Sequence, residues 1–316
     1  MKIKVSKKNL QSMLLKVQGF TEKKSTLPVL GHVLLETGDN KLNIKATDLN
    51  VSIEVSAYSR VDEHGSCSVS ARSFLDIVRE LPDEDLDLST HENQTISIES
   101  DKIKNDKDQI NLKIMDSAEF PLVDFSDISD GHHIDIETFG SMIEQTSFSI
   151  NTDDEEESKY NLEGALLITG SDENGAYIDM STTDTRRMSL ARRYIHEIPA
   201  MDEGIIVTKK GVQELKKLID APEQNPFLLL TRDSIFFVSD DTKATVRLID
   251  GKFPDYNKVM DISAYPIHTT MDVSEFMRAL RVCSAMVSGV SNCVRFSFKK
   301  DETILFADNP DQGKVE

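Results

Sequence analysis

The chain has 316 residues, 39% of them apolar, and a formal charge of −19 from 55 acidic and 36 basic residues. That length gives room for two or three domains with cores of their own, and the acidic balance taken alone argues against a phosphate partner, which lysine and arginine must meet. Three cysteines, Cys67, Cys283 and Cys293, lack a metal or redox spacing, so no disulfide framework is expected and a reducing cytoplasm fits.

In chain order, Met1-Lys2-Ile3-Lys4-Val5 alternates as a short strand and has no apolar core of a signal peptide. Leu10, Met13, Leu14 and Val17 follow at i, i+3, i+4 and i+7, one helical stripe with Ser6 placed as its N-cap. Val33-Leu34-Leu35 and Leu42-Asn43-Ile44, joined by Thr37-Gly38-Asp39-Asn40, predict a hairpin. A second helix is expected over Arg72 to Leu81, stopped by Pro82, with Phe74, Ile77, Val78 and Leu81 as its apolar stripe. Three strands follow at Leu86 to Leu88, Thr95 to Ile98 and Gln109 to Met115.

The pattern then starts again. A helix at Glu137 to Ser147 precedes a hairpin of Ala165-Leu166-Leu167 and Tyr177-Ile178-Asp179-Met180, a helix at Lys209 to Ile219, and strands at Phe227 to Leu230, Ile235 to Val238 and Thr245 to Ile249. Ala46-Thr47-Asp48 recurs as Thr182-Thr183-Asp184, and Phe120-Pro121 as Phe253-Pro254, at intervals of about 136 and 133 residues. A period of that size is a duplicated domain and not a solenoid unit. A third start follows near Ile267, with a helix expected from Val273 to Met286 and a hairpin ending on Phe306-Ala307-Asp308-Asn309. Each copy reads as two helix-plus-hairpin halves, an α+β unit with its helices on one face. No stretch reaches the roughly 18 apolar residues of a membrane helix, so no membrane partner is expected.

The charge is unevenly spread. Ser6 to Gln18 holds Lys7, Lys8 and Lys16 with no acid, and Thr208 to Ile219 holds Lys209, Lys210, Lys216 and Lys217 against Glu214, so each helix carries +3. The five expected helices together carry about +4, leaving about −23 for strands and loops. Lysines on a helix can simply be solvated, but the contrast with the rest of the chain also suits a helical side that faces phosphates. The acidic runs Asp153 to Glu157 and Asp101 to Asp108 read as solvated loops. No phosphate loop, dinucleotide turn, zinc set or nucleophile elbow is visible, and Asp48 and Asp184 sit at equivalent places in different copies, where turn formation is the expected role. Neither catalysis, a metal nor a cofactor is expected.

Thr26-Leu27-Pro28-Val29-Leu30-Gly31, Ala46-Thr47-Asp48-Leu49, Thr182-Thr183-Asp184-Thr185-Arg186-Arg187 and Asp250-Gly251-Lys252-Phe253-Pro254-Asp255-Tyr256, in that order and at domain spacing, closely resemble the bacterial sliding clamps, the beta subunits of DNA polymerase III. The resemblance spans the whole chain. It implies an α+β DNA clamp fold of repeated domains, helices on one face and antiparallel sheets on the other, with domains at 1–127 and 131–261 and a partial third at 265–316. It implies a head-to-tail homodimeric ring around double-stranded DNA in the cytoplasm, tethering the replicative polymerase alpha subunit, the clamp loader and other proteins with a clamp-binding motif.

By the same resemblance, Lys24, Arg72, Lys209 and Lys210 match DNA-facing positions, and Lys7 and Lys8 join them on charge alone. Leu162, Thr183, Thr185, Arg186, Arg187, Met188, Pro254 and Val259 match a pocket for a partner's short linear motif. Thr185-Arg186 departs from the Gly-His common in the family, and Asp153 to Glu157 would repel phosphate. Family members run about half a domain further, so a truncated sequence is expected. The alternative function is a partner-binding scaffold unable to close a ring.

Overall fold

The computed structural model describes residues 1–22, 26–100, 110–121, 123, 125, 128, 131–151, 162–195, 204–249, 251–257, 265–287, 293–300 and 302–316. They form two compact units, Met1–Pro254 and Asp255–Glu316.

The first copy runs β1 (Lys2–Ser6), α1 (Lys7–Val17), β2 (His32–Gly38), β3 (Lys41–Thr47), β4 (Val51–Tyr58), β5 (Arg60–Glu63), β6 (Ser66–Ser70), α2 (Ala71–Glu80), β7 (Asp85–His91), β8 (Thr95–Glu99) and β9 (Ile110–Met115). The second runs β10 (His132–Ile134), α3 (Ile136–Thr146), β11 (Gly164–Asp172), β12 (Gly175–Thr183), β13 (Met188–Tyr194), β14 (Ile205–Thr208), α4 (Lys209–Asp220), β15 (Phe227–Leu230), β16 (Ser234–Val238) and β17 (Thr242–Ile249). Seven strand pairings of the first copy, β1–β7, β2–β3, β2–β6, β3–β4, β6–β9, β7–β8 and β8–β9, have exact counterparts in the second. Among the described residues β5, paired to β1, has no counterpart in the second copy. Duplication is therefore visible at the level of hydrogen-bond topology as well as in repeated residues.

Helices α1 and α2 pack side by side, α1 on β3 and β4 and α2 on β2 and β6; α3 and α4 repeat this on β12, β13, β11 and β14. The periodic residues explain the placement. In α1, Ser6 Oγ accepts from the Asn9 amide at 3.2 Å, and the buried residues are Leu10, Met13, Leu14 and Val17. Helix α2 starts one residue earlier than the spacing predicts and buries Ala71, Phe74, Leu75 and Val78, so Leu75 replaces Ile77 in the inner stripe. One apolar core runs through both copies.

The copies join edge to edge. Strand β4 pairs with β17 over five antiparallel partners, from Val55 opposite Thr242 to Val51 opposite Val246. Strands β4, β6, β13 and β14 were not among the expected elements, although Val51, Ile53 and Val55 alternate with polar residues as a half-buried strand should.

The second unit holds α5 (Val273–Ser284) and a three-stranded sheet of β18 (Arg295–Phe298), β19 (Thr303–Asn309) and β20 (Gly313–Val315). This order, helix, hairpin and third strand, is that of the first half of each earlier copy. Its buried core is Cys283, Leu305 and Ala307, while Val273, Met277, Val282, Phe296 and Phe298 are exposed. Among the described residues no helix is long and apolar enough to cross a membrane.

Burial separates the three thiols. Cys67 on β6 is enclosed, which pushes its pKa up to about 11, and Cys283 is also buried, whereas Cys293 is exposed. Since the thiolate is the reactive form, a thiol reagent at pH 8 should modify Cys293 quickly and the other two only on unfolding. Rapid titration of three thiols in the native protein would contradict this packing.

Candidate functional sites

The structure places five of the six candidate DNA-facing residues in the first turns of helices; Lys24 lies outside the described residues. Lys7 and Lys8 open α1, Arg72 is second in α2, and Lys209 and Lys210 open α4. None of these helices has an acid in its first turn, whereas α3 and α5 carry Glu137 and Glu275 there. A helix N-terminus already bears partial positive charge, so cations there cost helix stability and concentrate positive potential. Ser6, Ser70 and Thr208 cap the three ends, offsetting part of that cost.

The five cations differ in their engagement. Arg72 is 88% exposed at its side chain and only 3.8 Å from Asp76, and Lys8 is exposed. Lys209 is half-buried. Lys7 donates to the carbonyls of Arg79, at 3.0 Å, and Leu81, closing the C-terminal end of α2. Lys210 donates to Asp48 Oδ2 at 2.6 Å and to the Thr21 carbonyl at 3.0 Å, across the boundary between the copies.

The candidate pocket residues divide similarly. Thr183 through Met188 form the turn from β12 to β13. Thr183 Oγ1 donates to the Arg187 carbonyl at 2.7 Å and accepts from the Thr185 amide at 3.1 Å. Asp184 Oδ1 accepts from the amides of Arg186 and Arg187 at 3.0 and 2.9 Å, and its Oδ2 from Arg187 Nε at 2.9 Å. Desolvation raises the Asp184 pKa, but those two amides and the guanidinium outweigh it and leave the carboxyl below its ordinary value. Thr185, Arg186 and Arg187 are exposed and Met188 is half-buried at the start of β13. Leu162, just before β11, is buried, and its carbonyl accepts from the Asn151 amide. Pro254 ends the first unit, and Val259 lies outside the described residues. The acidic run Asp153 to Glu157 lies outside them too.

Sequence reasoning missed Phe148. It is 60% exposed after α3, with the Arg187 guanidinium 5.9 Å from its ring centre, so an apolar surface and a cation adjoin the turn. Its place in Ser147-Phe148-Ser149 breaks the helical period, which is the only signal the sequence carries.

The first copy repeats the turn. Asp48 Oδ1 accepts from the amides of Asn50 and Val51 at 2.9 and 2.8 Å, and Thr47 Oγ1 from Leu49. Leu49 and Thr185 sit at φ of 78° and 73°, the left-handed region, which costs a residue with a β-carbon about 1–2 kcal/mol. Thr185→Gly should therefore raise stability by about 1 kcal/mol, read as a higher urea midpoint at constant slope. A lower midpoint would mean that the Thr185 side chain contributes more than its strain.

Both Asp48 and Asp184 thus organise turns, and among the described residues no three His, Cys, Asp or Glu side chains are grouped to hold a metal ion. The fold and its helix ends define a class: a duplicated clamp-type domain whose copies join through sheet edges and in which three helices open with cations.

Comparison with known proteins gives the family. The profile of the DNA polymerase III beta subunit N-terminal domain matches residues 1–124, and that of its central domain residues 133–255. The beta sliding clamp of Vibrio cholerae is 31% identical over all of this chain and 83% of its own length, and that of Caulobacter vibrioides 26% over the same shares. A crystal structure of the Caulobacter crescentus beta sliding clamp with polyethylene glycol superposes with a TM-score of 0.85 at 25% identity, covering all of this chain and 82% of that one. The Bartonella birtlesii sliding clamp bound to griselimycin gives 0.83, also at 25% identity and with the same coverage. The chain belongs to the bacterial beta sliding clamp family. It is a processivity subunit of DNA polymerase III and not an enzyme.

Proposed function

We propose that the chain acts in the cytoplasm as part of a head-to-tail homodimeric ring that encircles duplex DNA, with Arg72, Lys209 and Lys8 on the DNA-facing side. Domain boundaries near 127–131 and 261–265 go with this reading. The observation that carries it is the gathering of cations at the capped N-termini of α1, α2 and α4 in a chain of net charge −19. Contacts of this kind are to the phosphate backbone, so they position without reading sequence and allow sliding. Retention then depends on linkage, and a tethered polymerase gains effective concentration at the primer end without any new contact to DNA.

The partner groove is proposed around the Thr183 to Met188 turn, where Thr185, Arg186 and Arg187 are exposed and Phe148 adds apolar surface. Its occupants would be short motifs of the polymerase alpha subunit, the clamp loader and other clamp-binding proteins.

The test is retention on nicked circular DNA after loading, followed by linearisation. A ring is expected to stay on the circle and to run off the ends within the dead time once the DNA is cut. Equal loss from circular and linear DNA would overturn encirclement and leave a scaffold that binds partners without closing.

A further inference from the structure

We infer that Lys16 and Lys210 are reciprocal positioning residues that close the β4–β17 ladder at its two ends, and that Lys210 serves this joint and not a phosphate. The second half of this inference rests on the DNA-facing reading; the first does not.

At the Val55–Thr242 end, Lys16 reaches from α1 of the first copy into the second. Its ammonium lies 2.6 Å from Glu223 Oε1, 3.7 Å from Asp241 Oδ1 and 3.3 Å from Thr242 Oγ1. Glu223 is only 4% exposed at its side chain, and its Oε2 accepts from Ser239 Oγ and Thr242 Oγ1 at 3.2 and 3.4 Å. The backbone joins in, with the Ser56 amide donating to the Asp241 carbonyl at 2.8 Å.

At the Val51–Val246 end the direction reverses. Lys210 reaches from α4 of the second copy into the first, to Asp48 Oδ2 and the Thr21 carbonyl, and the Asp48 side chain is only 10% exposed. Here the Arg247 amide donates to the Asn50 carbonyl at 2.8 Å. Each copy therefore sends one lysine across the joint, one at each end of the ladder.

The two equivalent turns show what Lys210 adds. In both, one carboxylate oxygen holds the backbone amides. The second oxygen is taken by the turn's own Arg187 in the second copy, but by Lys210 of the other copy in the first. The turn does not require an inter-copy partner; the joint does. A one-residue slip of β4 along β17 moves the strand by about 3.3 Å and turns its buried Val51, Ile53 and Val55 outward. It would break both lysine contacts as well, so charge and packing select the same register.

The experiment compares Lys210→Met, Lys16→Met and Lys209→Met in the full chain by two readouts. Hydrogen exchange of residues 51–55 and 242–246 reports the joint. The salt dependence of DNA association reports phosphate contacts, with a slope that falls by about 0.9 for each one lost. Expected is roughly tenfold or greater acceleration of exchange for Lys210→Met and Lys16→Met, with the salt slope unchanged and protection kept in Lys210→Arg. Lys209→Met should show the reverse, native exchange and a smaller slope. Native exchange in Lys210→Met would overturn the joint role whatever the slope. Faster exchange with a smaller slope would overturn the claim that Lys210 spares the phosphates. If neither Lys209→Met nor Lys210→Met changes the slope while Lys210→Met accelerates exchange, the joint role is upheld and the DNA-facing reading of Lys209 fails.

Discussion

Arg192→Met is expected to cost about 2–4 kcal/mol of stability, somewhat less than removing one partner of a fully buried charge pair because the Arg192 side chain is itself 34% exposed. Asp179 lies on β12 with no exposed side-chain surface, directly opposite Arg192 on β13. The guanidinium donates Nε and Nη2 to its two oxygens, each at 2.7 Å, and Nη1 to Asp172 at 3.2 Å. Its plane lies over the Tyr177 ring at 3.6 Å, and the Tyr194 hydroxyl donates to Asp172 at 3.0 Å. A bidentate pair of this geometry is strong because both partners are fixed and both oxygens used. Methionine keeps most of the packing over Tyr177 but leaves the Asp179 carboxylate without this cation in a place water does not reach. Urea unfolding measures the loss, and Arg192→Met combined with Asp179→Leu should recover part of it, since removing both charges also removes the desolvation penalty. A loss below about 1 kcal/mol would show that Asp179 is solvated or otherwise compensated in solution.

Two adjacent leucines give the second large effect. Leu14 is 1% exposed and Leu15 46% exposed on α1. Leu14→Ala should cost about 2–5 kcal/mol through lost burial and the cavity left behind. Leu15→Ala should stay within about 0.5 kcal/mol, since it removes no enclosed contact. Similar losses for the two would mean that α1 is rotated about its axis relative to the sheet.

That pair also marks where sequence alone was sufficient. The 3.6-residue period of Leu10, Met13, Leu14 and Val17 identifies both the helix and its buried face, because a local pattern and a single nearby sheet decide the outcome. In α2 the same argument chose Ile77 over Leu75; both border the inner stripe, and packing against β2 and β6 settled which is enclosed. Strand β4 was missed although it alternates cleanly. Its outer partner is β17, nearly 190 residues on, and nothing local announces an edge that another copy will cover. The candidate cations met the same limit: charge counts located them on helices but could not reveal that Lys210 faces Asp48, 162 positions away in the chain. Of the candidate pocket residues, Thr183 to Met188 lie within one turn and can be grouped from sequence, whereas placing Leu162 and Pro254 beside them depends on how distant segments return.

The paired turns at Asp48 and Asp184 have a further consequence for how such a surface can diversify. In each, the carboxylate and the preceding threonine hold the backbone, while the next residue, Leu49 or Thr185, is held in the same conformation and points its side chain into solvent. Scaffold and display are thereby carried by different side chains. The side chain at the displayed position can therefore change, from aliphatic in one copy to hydroxyl in the other, without the loop having to be reinvented.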